Sequence, residues 1–146
     1  MPAEKLLILC SGEYSFGPMI AAYIQFYSEN RIQPCIVAVD TQHMHPLAIQ
    51  VMKEDGIDIT KLTYDDASSL QNNFKFIITT LNNPENYLQP APDTKLLSFP
   101  FSVPVQSTAY EQVLMAYRSV REDIKTACIE FVGNYRKVLL GQQKDQ

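Results

Sequence analysis

The sequence predicts an α/β domain: a three-layer open sheet of four mainly parallel strands with helices on both faces. Three observations carry this. Four apolar runs, Lys5 to Leu9, Cys35 to Val39, Phe74 to Leu81 and Lys95 to Phe99, are too short for helices and read as buried strands. Between and after them stand segments whose apolar residues recur every three or four positions. A polar, glycine-bearing turn joins the first strand to the first of these helices.

The elements follow in order. After the opening strand and its loop, Pro18 suits the first turn of a helix, where its missing N–H costs nothing. Ile20, Ile24 and Tyr27, with Tyr23 beside them, give that helix its apolar face, and it fades near Ser28-Glu29-Asn30. Pro34 precedes the second strand, and the strand–helix–strand unit so formed is parallel and right-handed. Asp40 to Met44 reads as a loop. Pro46 then opens a second helix with Ala48, Val51 and Met52 facing inward, which Gly56 stops. A short helix is expected around Asp65 to Leu70, before the third strand. Asn82 to Asp93, with Pro84, Pro90 and Pro92, is expected to be irregular. Behind the fourth strand, Thr108-x-x-Glu111 has the form of a capping box. Val113, Tyr117, Val120, Ile124, Ala127 and Phe131 then predict a long closing helix, and Gln142 to Gln146 a frayed tail.

Composition sets the bounds. The 146 residues make one domain, 1–146, long enough to bury about two thirds of its unfolded surface. An apolar content of 46% excludes a disordered chain. Twelve basic residues against 16 acidic ones give a net charge of −4, which argues against a nucleic-acid face and against anionic membrane. No apolar run reaches the length of a membrane span, and the N-terminus lacks the pattern of a secretory leader. Three unpatterned cysteines fit a reducing cytoplasm better than a disulfide framework. A cytoplasmic protein with neither nucleic-acid nor membrane partners is expected.

Strand, short loop and helix are how α/β proteins build an anion cradle, with loop amides and the positive helix end aimed at one spot. The sheet topology brings the loops after Leu9, Val39, Leu81 and Phe99 to that same crevice. Cys10 ends the first strand and would lie in the cradle, where the local field favours its thiolate.

Cys10 and the loop Ser11-Gly12-Glu13-Tyr14-Ser15-Phe16-Gly17 resemble the low-molecular-weight protein tyrosine phosphatases and the thioredoxin-coupled arsenate reductases of the same fold. That family opens with a strand, Cys-x5-Arg-Ser/Thr and a helix. A second resemblance is independent of the first: Pro46-x-Ala48, Met52 and Gly56-Ile57-Asp58-Ile59 match a Pro-x-Ala helix followed by Gly-Ile-Asp-Ile in the reductases. The likeness runs from about Leu6 to Lys137. It implies Cys10 as nucleophile, an arginine at Phe16, a Ser/Thr at Gly17, an acid within Phe101-Ser102-Val103-Pro104, and two redox cysteines at Asn82 and Gln89. The cysteine that some phosphatases carry within the loop falls at Ser15.

Phosphoryl transfer to cysteine needs a thiolate, a charged fork on the equatorial oxygens and an acid for the leaving group. Arginine fills the second role through its planar guanidinium, and Phe16 has no donor at all. Neither Ser102 nor Val103 protonates a leaving phenolate near neutral pH. Glu13 adds a carboxylate that repels a dianion unless its side chain turns to solvent. The missing groups serve different steps, so the set reads as a scaffold no longer doing its family's chemistry.

Three functions stay open at this point. The first is a binding or regulatory module whose crevice, lined by Tyr14, Phe16 and Phe101, takes an unknown small ligand or a protein segment. The second is an active tyrosine phosphatase or arsenate reductase with Cys10 as nucleophile, its helpers drawn from Asp40, His43 and Lys95. The third is a thiol protein oxidised at Cys10, which requires a depressed thiol pKa. The bland readings stand beside these: Cys10, Cys35 and Cys128 as packing, His43 and His45 as helix entry rather than a metal site, and Asp40 as a loop cap. No cofactor and no metal are expected. Exposed aromatics around the crevice make a homodimer a further expectation.

Overall fold

In the computed structural model, residues 4–101 and 109–144 are described, with side chains to residue 137. Strand β1 (Glu4–Cys10) leads into helix α1 (Phe16–Tyr27), strand β2 (Ile32–Ala38) and helix α2 (Pro46–Glu54). Strands β3 (Phe76–Thr79) and β4 (Lys95–Ser98) follow, and helix α3 (Tyr110–Lys144) closes the chain. The sheet order is β2-β1-β3-β4 and every pairing is parallel. This is the architecture expected from the four apolar runs.

The two-residue period of β1 splits the core. Leu6, Ile8 and Cys10 face one side, where they share a cluster with α1, α2 and α3. Leu7 and Leu9 face the other, with Val37, Phe74 and Ile77. That second face is closed by 3-10 turns rather than α-helices: Leu70 comes from the turn Ala67–Gln71 and Leu88 lies just beyond the turn Pro84–Asn86. Asp66 caps the first of these, replacing the short helix expected at 65–70. The second falls in the stretch read as irregular, because Pro84 at its first position supplies the required φ. A further turn, Ile59–Lys61, is capped by Asp58.

Two strand boundaries move. β2 starts before Pro34 rather than after it, and the sheet tolerates this because β2 is an edge strand. β3 stops at Thr79, whose Oγ1 accepts from Leu81 N and turns the chain away. The apolar stripe expected on α1 is a buried half-helix: every residue from Phe16 to Ile24 is buried, since α3 covers what the sheet leaves open. On α3 the buried ridge is Tyr117, Val120, Ile124, Cys128 and Phe131, so Cys128 rather than Ala127 fills that step. Thr108 of the expected capping box and Ser102 of the expected site lie outside the described residues. Among the described residues no helix is long and apolar enough to cross a membrane.

Candidate functional site

The loop between β1 and α1 lies at the carboxyl end of the sheet, as the topology demands. Its geometry departs from the expected open cradle. Asp40, just beyond β2, turns its carboxylate into the loop. Oδ2 accepts from Ser11 Oγ at 2.6 Å, and Oδ1 accepts from Gly12 N at 2.8 Å and Thr41 N at 2.6 Å. Glu13 N donates to Ser11 Oγ at 3.3 Å. The chain's own carboxylate thus takes the donors that an anion would seek. Desolvation works against the ionised form of Asp40, yet the bonds from Ser11, Gly12 and Thr41 outweigh it and hold its carboxyl below the usual range.

A second clamp lies one turn further on. Ser15 is fully buried in the left-handed region, at φ 63°, where a side chain is strained unless something holds it. Its hydroxyl supplies that hold, donating to His43 O at 2.9 Å and accepting from His45 N at 2.7 Å. Tyr64 Oη also donates to His43 O, at 2.6 Å. The segment 40–45 is therefore drawn down over the loop. It lies so close that a Cβ at position 12 would overlap the Thr41 carbonyl oxygen, which is why glycine stands there.

The surroundings of Cys10 are those of the packed cysteine rather than of the thiolate that an anion cradle would favour. Cys10 is wholly buried, its Sγ is 3.6 Å from Val37 O, and its pKa is pushed up to about 12. Burial is the main cause, the Asp40 charge adds to it, and a hydrogen bond from Gly17 N opposes both. A Cβ on Gly17 would overlap Cys10 Sγ, so the first turn of α1 is packed directly on the sulfur. Burial and the Asp40 charge thus both favour the neutral thiol over the thiolate.

Phe16 starts α1 and is 6% exposed. Its ring stacks on Tyr14 at 5.7 Å and meets Phe101 edge-on at 6.2 Å, while Phe101 meets Phe99 at 5.8 Å. These rings pack on one another as a row beside the loop. Tyr117, on α3, secures the loop from below, its hydroxyl donating to Tyr14 O at 3.3 Å and its ring 4.9 Å from His45. Glu13 is exposed to solvent.

The remaining candidates separate. His45 caps α2, its Nδ1 accepting from Leu47 N at 3.1 Å, which is the helix-entry role read from the sequence. His43 contributes its carbonyl to the clamp. Lys95 does not reach the loop: it pairs in register with Phe76, which pairs with Leu6, four residues or about 13 Å before Cys10. It is removed from the crevice. Cys35 sits half-buried in β2, with its thiol raised to about 11 chiefly by burial, and Cys128 is buried with Sγ 3.7 Å from Ile20 O. Among the described residues no cluster of histidine, cysteine and carboxylates fits a metal ion. Tyr64 and Tyr117 were not legible as site residues, since each bonds the loop region across long sequence distances.

Solved structures with this backbone decide the fold. An arsenate reductase in a phosphate-binding state matches with a TM-score of 0.70 at 19% identity, over 90% of this chain and 98% of that one. The chain has the low-molecular-weight phosphatase fold. A protein tyrosine phosphatase from Entamoeba histolytica matches at TM-score 0.69 and 16% identity, over 92% of this chain and 97% of the other. Wzb of Vibrio vulnificus, in complex with benzylphosphonate, matches at 0.69 and 15%, over 90% and 98%. No family model and no curated relative matches the chain.

Proposed function

We propose that this chain is a low-molecular-weight tyrosine phosphatase/arsenate reductase-like domain that has given up catalysis and serves as a cytoplasmic binding or regulatory module. The observation that carries this reading is the Asp40 carboxylate bound by Ser11, Gly12 and Thr41. A substrate dianion would have to displace a charge of its own sign from that position. Two further features support it. Phe16 offers no guanidinium to developing charge, and losses of oxyanion stabilisation of this kind cost a factor of about a thousand. The Cys10 thiol, raised to about 12, leaves almost no thiolate to attack. What remains beside the loop suits a neutral or apolar ligand, because Tyr14, Phe16 and Phe101 line it.

The test is hydrolysis of an aryl phosphate by the purified chain beside Cys10→Ser. Equal rates, at the level of buffer, are expected. Turnover present in the native chain and lost in the variant would overturn the reading and establish a working phosphatase with unconventional helpers.

A further inference from the structure

An aromatic-walled cleft on the helical face lies away from the cysteine loop, between edge strand β4 and the second half of α3. There Phe76, Leu97, Phe99, Ala127, Phe131 and Tyr135 wall a cleft of about 240 Å³. Phe76 meets Phe131 edge-on at 5.6 Å and Tyr135 at 5.7 Å, so the floor is aromatic and fixed. The volume exceeds the roughly 150 Å³ of a cavity that admits benzene. It falls below the 300 Å³ or so at which drug-sized pockets begin. It is therefore the size for one aromatic ring with a short polar tail.

The mouth specifies the tail. Lys95 stands on the strand side, Glu130 and Asn134 on the helix side, and all three are exposed. Among the described residues no ion pair joins Lys95 to Glu130 or engages either with another charge. A plain carboxylate would meet Lys95 but be repelled by Glu130, and a plain amine the reverse. A ligand bearing both charges satisfies both walls and adds the Asn134 amide as a neutral partner.

We propose that the β4–α3 cleft binds a small single-ring aromatic zwitterion, an aromatic α-amino acid in chemical class. The ring lies on the floor formed by Phe76 and Phe131, the carboxylate meets Lys95 and the ammonium meets Glu130. The site is separate from the cysteine loop, and Phe99, which lines the cleft, begins the aromatic row toward Phe16.

The experiment is a titration of the isotope-labelled full chain with L-phenylalanine, followed through the backbone amides of β4 and α3. Saturable shifts centred on Leu97, Phe99 and Phe131 are expected. Phenethylamine and 3-phenylpropionate, each lacking one charge, should bind about fivefold more weakly, the factor for an exposed ion pair of about 1 kcal/mol. Ala127→Phe fills the cleft and should abolish the shifts. Lys95→Met, at an exposed position that leaves the fold untouched, should erase the preference for phenylalanine over phenethylamine. Equal binding of the three compounds would overturn the proposal in favour of an unspecific apolar cleft. Absence of saturation, or shifts that follow protein rather than ligand concentration, would overturn it as well, the latter identifying a second copy as the occupant.

Discussion

Removing the Asp40 carboxylate tests the central feature of the site. In Asp40→Ala, Ser11 Oγ, Gly12 N and Thr41 N lose their acceptor together. Hydrogen bonds to a charged group contribute about 1.5–3 kcal/mol each when water cannot replace them. Asp40 is exposed, so water substitutes for much of that, and a total of about 1–2 kcal/mol is the better figure. For a chain of this length that is a fall in Tm of about 3–8 °C. The sign with pH follows from linkage. The folded carboxyl titrates below its unfolded value, so its contribution is fully present above the unfolded pKa of about 3.9 and is lost as pH falls through the folded value. Thermal melts of both proteins by circular dichroism, from pH 7 down to pH 3, should show the gap in Tm open at pH 7 and closing below about pH 4. A gap of the same size at pH 3 and pH 7 would refute the reasoning, because it would place the loss in packing rather than in the carboxylate.

Two other perturbations probe the neighbouring contacts. Gly17→Ala should destabilise by about 1–3 kcal/mol, since the new methyl meets Cys10 Sγ, and adding Cys10→Ala should return part of that in a denaturant titration. His45 is held below its usual pKa by burial and then by His43, and its neutral Nδ1 caps α2. Its unfolded form binds protons first, so stability falls as pH drops below about 6.5. His45→Asn keeps a cap without titrating, and its stability should be flatter than that of the native chain between pH 7 and pH 5.

What the sequence determined by itself was everything encoded within a few residues. The continuous apolar run Leu6 to Cys10 marked β1 as a strand buried on both faces, and three-to-four spacing from Tyr117 to Phe131 set α3. The loss of the arginine position to Phe16 was also plain in the letters. Such features are local because strand and helix periods are fixed by backbone bonds to near neighbours in the chain or in the sheet. Even the helix entry at His45 could be read, since its partner is two residues away.

Only the tertiary structure decided the state of the site. Asp40 and Ser11 are 29 positions apart, and Tyr117 and Tyr14 are 103 apart. A cysteine at a strand end is a thiolate or a packed thiol according to what surrounds it. Here the surroundings are α1 laid on the sulfur through Gly17 and a carboxylate brought in from β2. Protonation sums the effects of burial and of every nearby charge, whichever part of the chain supplies them. Sequence spacing cannot record that sum, and folding writes it.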